Sequence, residues 1–205
     1  TGLVTLGVAK SINTQMESQV VEPMTCLLED KGSGMITESN LAGIMALLQK
    51  KQALAIGPGM GTHEDTKKLV HAVVESCPVP MIIDADGLNC LADNPGVLMK
   101  KRAPAILTPH PGEMARLCGL STAQIQADRI GTARDVARKF QASLVLKGAQ
   151  TVIAMPDGRC LINSTGNPGL ASGGMGDVPT GLVAGFCAQG FCPAVAAVAG
   201  VVFLC

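Results

Sequence analysis

The stretch of residues 53–91, ALAIGPGMGTHEDTKKLVHAVVESCPVPMIIDADGLNCL, contains two rounds of one pattern. In each round a short apolar run, at residues 53–56 and again at 81–84, ends in a turn rich in glycine or aspartate. A segment with apolar residues at helical spacing follows each turn. Strands that alternate with helices in this way predict a mostly parallel sheet with helices on both faces.

The same alternation continues on both sides of this stretch. Further strands are predicted at residues 2–8, 105–108 and 143–147, with a hairpin whose turn is PDGR at 156–159. Predicted helices begin after a Ser39 cap, after a capping box of Thr62 and Asp65, at Leu88, near Met114, as one longer helix with Ile125 and Phe140 on its core face, and around Leu182. We therefore expect one α/β domain over residues 1–205, with functional loops at the carboxyl ends of the strands.

Composition excludes several classes of protein. Of the 205 residues, 47% are apolar and 16% charged, which is enough to fill a core, and the formal net charge is zero. Without a basic stripe or any Trp or Tyr, we expect no nucleic-acid partner. No apolar run reaches the roughly 20 residues that span a bilayer, so we expect no membrane anchor. Eight cysteines without a CxxC pair indicate free thiols in a reducing cytoplasm.

The segment most typical of a ligand site is NPGLASGGMGDVPTG at residues 167–181. Its glycines allow consecutive backbone N–H groups to face one anion, and the helix that follows adds a partial positive charge. Asp177 lies where such a helix would begin. It either caps the helix or removes a proton from a hydroxyl group that attacks a bound phosphate.

Five short motifs occur together: GPGMG at 57–61, DADGLN at 84–89, TPHPGE at 108–113, VLKG at 145–148 and GNPGLASGGMGD at 166–177. In this order, each at the end of a predicted strand, they resemble the ADP-dependent NAD(P)H-hydrate dehydratases. That family belongs to the ribokinase-like superfamily, so the resemblance implies a three-layer sandwich. It also implies nicotinamide nucleotide repair, in which hydrated NADH or NADPH is dehydrated while ADP becomes AMP and phosphate.

The resemblance assigns roles to particular residues. Asp177 matches the catalytic carboxylate, and the hydrated dinucleotide would contact Asp177, His110, Gly59 and Gly61. The nucleotide would be bound by Lys147, Gly148, Ala149, Gln150, Thr151, Gly173, Gly174, Met175 and Gly176. Glu113 resembles the acidic residue that holds magnesium through water, although a carboxylate in a first helical turn needs no ligand. His110 can likewise be a plain turn residue.

Other candidates carry less information. Asp84 and Asp86 are expected to support the site from behind, or Asp84 to cap the next helix, and Asn89 to tie loops together. His63 and His71 lack partners at metal-ligand spacing, so no structural zinc is expected. The resemblance also implies magnesium as cofactor, ADP or ATP as co-substrate, and an NAD(P)H-hydrate epimerase as functional partner.

The chain departs from the family pattern at three places. Met175 replaces a Thr or Ser, and Pro179 replaces an apolar residue in the first helical turn, where a missing N–H is tolerated. Family members carry a strand and a glycine-rich turn before Thr1 and a helical segment after Cys205. The domain is therefore expected to be incomplete at both termini, with an unpaired edge that favours a homo-oligomer.

Two other functions stay open at this point. A small-molecule kinase of the same superfamily would use the same aspartate and anion site. A nucleotide-binding protein without catalysis is the other alternative, since Met175 and the missing segments would weaken an enzyme.

Overall fold

The computed structural model describes residues 2–165 and 176–203, and it confirms the predicted α/β fold. Six strands form the central sheet in the order β3-β4-β5-β6-β7-β8. Four of them are parallel: β3 (Leu54–Ile56), β4 (Met81–Ile83), β5 (Ala105–Leu107) and β6 (Ser143–Leu146). The last two, β7 (Val152–Ala154) and β8 (Cys160–Ile162), are antiparallel and form the predicted hairpin.

A second sheet pairs β1 (Thr5–Ala9) with β2 (Met24–Leu28) in parallel, with Thr5 opposite Met24. A 3-10 turn at Lys10–Ile12 and the short helix α1 (Asn13–Glu17) connect them. The predicted strand at residues 2–8 is confirmed with a shift of its bounds. No strand was predicted at β2.

Helices cover both faces of the central sheet. They are α2 (Leu41–Leu48), α3 (Glu64–Ser76), α4 (Ala85–Leu91), α5 (Pro111–Cys118), α6 (Thr122–Ala127), α7 (Arg129–Phe140), α8 (Asp177–Ala188) and α9 (Pro193–Val202), with 3-10 turns at Glu38–Asn40 and Pro95–Lys100. On β4, Met81 and Ile83 join the core shared with α3, α4, α5 and α7, whereas Ile82 joins the core shared with α8 and α9. This alternation within one strand confirms the three-layer sandwich.

Three helix boundaries differ from the prediction. Ser39 lies in a 3-10 turn and bonds to the Thr37 hydroxyl group at 2.9 Å, so Asn40 precedes α2 instead. Helix α3 begins after His63, whose ring accepts a hydrogen bond from Asp65 N, and not after Thr62. The prediction of a single long helix was wrong, because Asp128 interrupts it. Asp128 is the cap of α7 and accepts a hydrogen bond from Gly131 N at 2.8 Å.

Two features bear on the exclusions made from composition. In the described part of the chain, no helix is long and apolar enough to cross a membrane. The seven cysteines within the described ranges are free thiols.

Pro179 lies in the first turn of α8, and the helix continues past it to Ala188 as expected.

Candidate active site

The site is centred on a buried carboxylate at the carboxyl end of β4. Asp84 is 1% exposed, and its Oδ1 pairs with Lys147 Nζ at 2.7 Å. Its Oδ2 accepts a hydrogen bond from the Thr180 hydroxyl group at 2.8 Å. Asp84 precedes α4 but makes no side-chain cap bond to it, so the capping alternative is wrong. Through these two contacts Asp84 links the ends of β4 and β6 to the first turn of α8.

The close approach of the end of β3 to the backbone of Asp84 depends on a glycine. Gly57 follows β3 with φ of 130°, and a Cβ atom there would lie 1.8 Å from the Asp84 carbonyl oxygen. Only glycine combines this φ with so close a contact. The turn GPGMG therefore starts in direct contact with the backbone of Asp84.

His110 and Glu113 form a second part of the site, at the carboxyl end of β5. His110 Nδ1 accepts from Gly112 N at 2.9 Å, while Glu113 Oε2 accepts from His110 N at 2.8 Å, which makes a capping box at α5. Because Nδ1 accepts, the ring proton is on Nε2, 3.3 Å from Glu113 Oε1. Glu113 Oε2 also lies 3.9 Å from Lys147 Nζ. His110 and Glu113 are thus the turn residue and the first-turn carboxylate considered from the sequence, here joined in a capping box, and Glu113 also borders Lys147.

The start of α8 lies against the same lysine. A Cβ atom on Gly176 would lie 3.3 Å from Lys147 Nζ and 3.8 Å from Asp84 Oδ2. Asp177, the first residue of α8, is exposed, and no side-chain cap bond is made at this helix start. Gly176 holds the N-cap position of α8, so Asp177 follows the N-cap as the first helical residue and places a negative charge in the first turn. Gly173, Gly174 and Met175 lie outside the described residues.

Residues 147–151 form a tight loop between β6 and β7. Gly148 has φ of 131° and Gln150 φ of 56°, and the Thr151 hydroxyl group donates to Gly148 O at 3.0 Å. Lys147 N donates to Pro109 O at 2.9 Å, which ties the loop to the His110 turn. The loop thereby presents Lys147 to Asp84, while Gly148, Ala149 and Gln150 stay exposed.

A chain of polar contacts positions Gly61, which like Gly59 is exposed with φ of 71°. Asp86 Oδ2 accepts from Gly61 N at 2.9 Å, and its Oδ1 accepts from Asn89 Nδ2 at 3.2 Å. Asn89 in turn accepts from Arg116 Nε at 2.8 Å. Asp86 and Asn89 therefore hold the turn from behind, as the sequence suggested.

We expect Asp86→Ala to raise KM for a ligand bound by the 57–61 turn by about tenfold, with a smaller change in kcat. The reason is the loss of a charge-assisted hydrogen bond to Gly61 N, worth about 1.5–3 kcal/mol. Steady-state kinetics measure it. Asp93→Ala is the matched control, because Asp93 is exposed and pairs with Lys67 on the surface. An equal effect of both substitutions would contradict this role.

The structure thus brings together His110, Glu113, Lys147 and Gly176 from the predicted site, and it adds a residue that sequence reasoning missed. Asp84, His110, Glu113, Lys147 and Gly176 meet at one end of the sheet. Thr180 was missed, although a buried threonine in an otherwise apolar helix is a usable signal. Within residues 2–165 and 176–203, no group of three His, Cys, Asp or Glu side chains could hold a metal ion by itself.

This arrangement is that of a ribokinase-like α/β protein. Over 98% of the chain it superimposes on 66% of a ribokinase-like superfamily protein from Enterococcus faecalis, with TM-score 0.78 and 24% identity. It also matches the ADP/ATP-dependent NAD(P)H-hydrate dehydratase of Bacillus subtilis, co-crystallized with ATP and Mg²⁺ and soaked with CoA. That match has TM-score 0.75 and 31% identity, covering 99% of this chain and 70% of the other.

The family model described as NAD(P)H-hydrate dehydratase matches residues 1–204, and the chain belongs to this family. A bifunctional NAD(P)H-hydrate repair enzyme of Moorella thermoacetica is 45% identical over 199 residues. That alignment covers 97% of this chain but 38% of the relative. The ADP-dependent (S)-NAD(P)H-hydrate dehydratase of Bacillus subtilis is 44% identical over 135 residues, 65% of this chain and 46% of that protein. The chain thus spans less than half the length of each of these two curated relatives.

Proposed function

We propose that this chain dehydrates (S)-hydrated NADH or NADPH to NAD(P)H, with conversion of ADP to AMP and phosphate. The observation that carries the proposal is the exposed Asp177 at the start of α8, directly after Gly176, which lies against the Lys147–Asp84 pair. Family membership and the similarity to the ADP-dependent (S)-NAD(P)H-hydrate dehydratase of Bacillus subtilis support it. The activity is that of a hydro-lyase.

Asp177 would act as the general base. In the proposed first step it takes the proton of the ring hydroxyl group, whose oxygen attacks the terminal phosphorus of ADP and releases AMP. The ring carbon–oxygen bond then breaks, phosphate leaves with that oxygen, the adjacent ring carbon loses a proton to solvent, and the electron pair of that C–H bond restores the ring double bond. Phosphate is a far better leaving group than hydroxide, which explains the use of a nucleotide. Asp177 is exposed and follows the N-cap residue Gly176, which suits this role.

Positive charge near the transferred phosphate would come from two sources. Lys147 Nζ faces Gly176, the residue before Asp177. The N-terminal end of the 12-residue helix α8 contributes its unpaired N–H groups and a partial positive charge. Preorganised donors of this kind stabilise the charge that develops on a transferred phosphoryl group. Residues 147–151 and 173–176 would bind the nucleotide.

Magnesium fits this site as an ion that arrives with the nucleotide. Mg²⁺ keeps several waters and takes one or two protein carboxylates together with phosphate oxygens. Glu113, 7% exposed and 3.9 Å from Lys147 Nζ, would hold it through water. Bound there, the ion would neutralise charge on the phosphates. A Bacillus subtilis relative was crystallised with ATP and Mg²⁺, so ATP is an alternative donor.

The hydrated dinucleotide would lie across the ends of β3 and β5. His110 has a half-exposed ring beside Glu113, and Gly59 and Gly61 are exposed on the neighbouring turn.

An NAD(P)H-hydrate epimerase is the proposed functional partner, since several relatives are bifunctional and this chain matches 38% of one of them. A homo-oligomer in the cytoplasm is proposed too, with Leu161 and Ile162 exposed on β8 at the end of the strand order.

The test is the absorbance of reduced nicotinamide after mixing the protein with hydrated NADH, Mg²⁺ and either ADP or ATP. We expect a rise that requires the nucleotide and identifies the donor. A stable phosphorylated alcohol without that rise would instead indicate a small-molecule kinase. No product, with ADP binding detected by calorimetry, would indicate a nucleotide-binding protein without catalysis.

A further inference from the structure

The guanidinium group of Arg129, the first residue of α7, lies beneath the loop at residues 147–151. Its Nη2 donates to Leu146 O at 3.1 Å and to Lys147 O at 3.3 Å. Nη1 donates to Gln126 Oε1 at 3.0 Å. One side chain therefore holds two consecutive carbonyl groups at the point where β6 ends.

This contact requires the glycine that follows. Gly148 has φ of 131°, and a Cβ atom there would lie 3.3 Å from both Nη1 and Nη2 of Arg129. A side chain at residue 148 would therefore crowd the guanidinium group as well as strain the backbone. The glycine of the VLKG motif thus serves the contact with Arg129.

The two held carbonyls determine where the neighbouring N–H groups point. In a trans peptide, C=O and N–H point in opposite directions. The Leu146–Lys147 peptide follows this rule, since its carbonyl faces Arg129 and its N–H donates to Pro109 O on the other side. By the same rule the N–H of Gly148 points away from Arg129. It faces the side on which the His110 turn lies.

Arg129 has no carboxylate partner among the described residues. Burial lowers the pKa of its guanidinium group, and the described acceptors of its hydrogen bonds are two backbone carbonyls and the Gln126 amide oxygen. In the described part of the chain its Nε is buried without a hydrogen-bond partner. A partly buried cation kept without a counter-ion suits a site that receives an anion.

We propose that Arg129 is a positioning residue for the nucleoside diphosphate. By holding Leu146 O and Lys147 O it aims Lys147 Nζ at the Asp84 and Gly176 side and keeps the Gly148 N–H available to the ligand. This inference rests on the proposed function in one respect, namely that the loop at residues 147–151 binds the nucleotide.

The experiment compares Arg129→Gln and Arg129→Lys with Arg134→Gln. Arg134 is the matched control, because it lies on the same helix and its Nε donates to Gly158 O at 3.2 Å in the β7–β8 turn. We expect Arg129→Gln to raise KM for ADP and its calorimetric Kd about tenfold. KM for hydrated NADH and kcat should change by less than about threefold. Arg129→Lys keeps the positive charge but not the planar guanidinium group, so its KM and Kd for ADP should lie between those of Arg129→Gln and Arg134→Gln.

Hydrogen exchange supplies a measurement that does not need turnover. We expect the amides of residues 147–151 to exchange faster in Arg129→Gln than in the native chain or in Arg134→Gln. Unchanged ADP affinity and unchanged exchange in a folded Arg129→Gln variant would overturn the inference. An equal rise in KM for both substrates would overturn it too. A native chain that binds no ADP would refute the proposed function, while the exchange comparison still tests the contact.

Discussion

Asp177→Asn is expected to lower turnover of hydrated NADH by a factor of about 10²–10⁴, the usual contribution of a general base. The amide has nearly the shape of the carboxylate but cannot accept the proton of the attacking hydroxyl group. ADP affinity should change little, because the nucleotide is assigned to backbone N–H groups and Lys147. Single-turnover kinetics and calorimetry on the same preparation measure both quantities.

Asp135→Asn is the matched control for this substitution. Asp135 is an exposed carboxylate on α7, outside the site, so its neutralisation should leave turnover within about twofold. Turnover retained in Asp177→Asn would refute the assignment of the base. It would leave a binding role for the anion site intact.

The sheet could be predicted well because its inner strands are buried on both faces. Met81–Ile83 and Ala105–Leu107 are fully buried, so each reads as a short apolar run bounded by turn residues. By contrast, β2 at Met24–Leu28 was missed although MTCLL is also a short, largely apolar run, and in the structure this strand is only partly buried. The break at Asp128 was missed because the apolar spacing continues across it.

Only the site residues that belong to short local motifs could be predicted from the sequence. Gly59, His110 and Lys147 each stand in a short motif at a strand end, so the motif locates them. The contacts of Asp84 join residues 63 and 96 positions away along the chain, and no local pattern records them. Arg129 was missed for the same reason, since its role depends on the carbonyls of a strand that follows much later.

The ion pair of Lys147 with the buried Asp84 gives the second large expected effect, a loss of stability when the lysine is replaced. Lys147→Met is expected to lower the free energy of unfolding by about 3–5 kcal/mol, because it leaves the Asp84 carboxylate, 1% exposed, without its cation. Asp84→Asn should cost less, since Lys147 is 22% exposed and can turn its ammonium group toward water. Urea unfolding at neutral pH measures each change.

The double variant decides between an ion pair and two unrelated residues. Once Asp84→Asn has removed the buried charge, adding Lys147→Met should cost at least about 1 kcal/mol less than it does in the native chain. Thr180→Val serves as the reference, because it removes the other partner of Asp84 without removing a charge, and it should cost about 1–3 kcal/mol. Strict additivity of the two charge substitutions would mean that the 2.7 Å contact contributes no coupling. In that case Lys147 could be held by Glu113 and the nucleotide instead, and Asp84 would serve α8 through Thr180 alone.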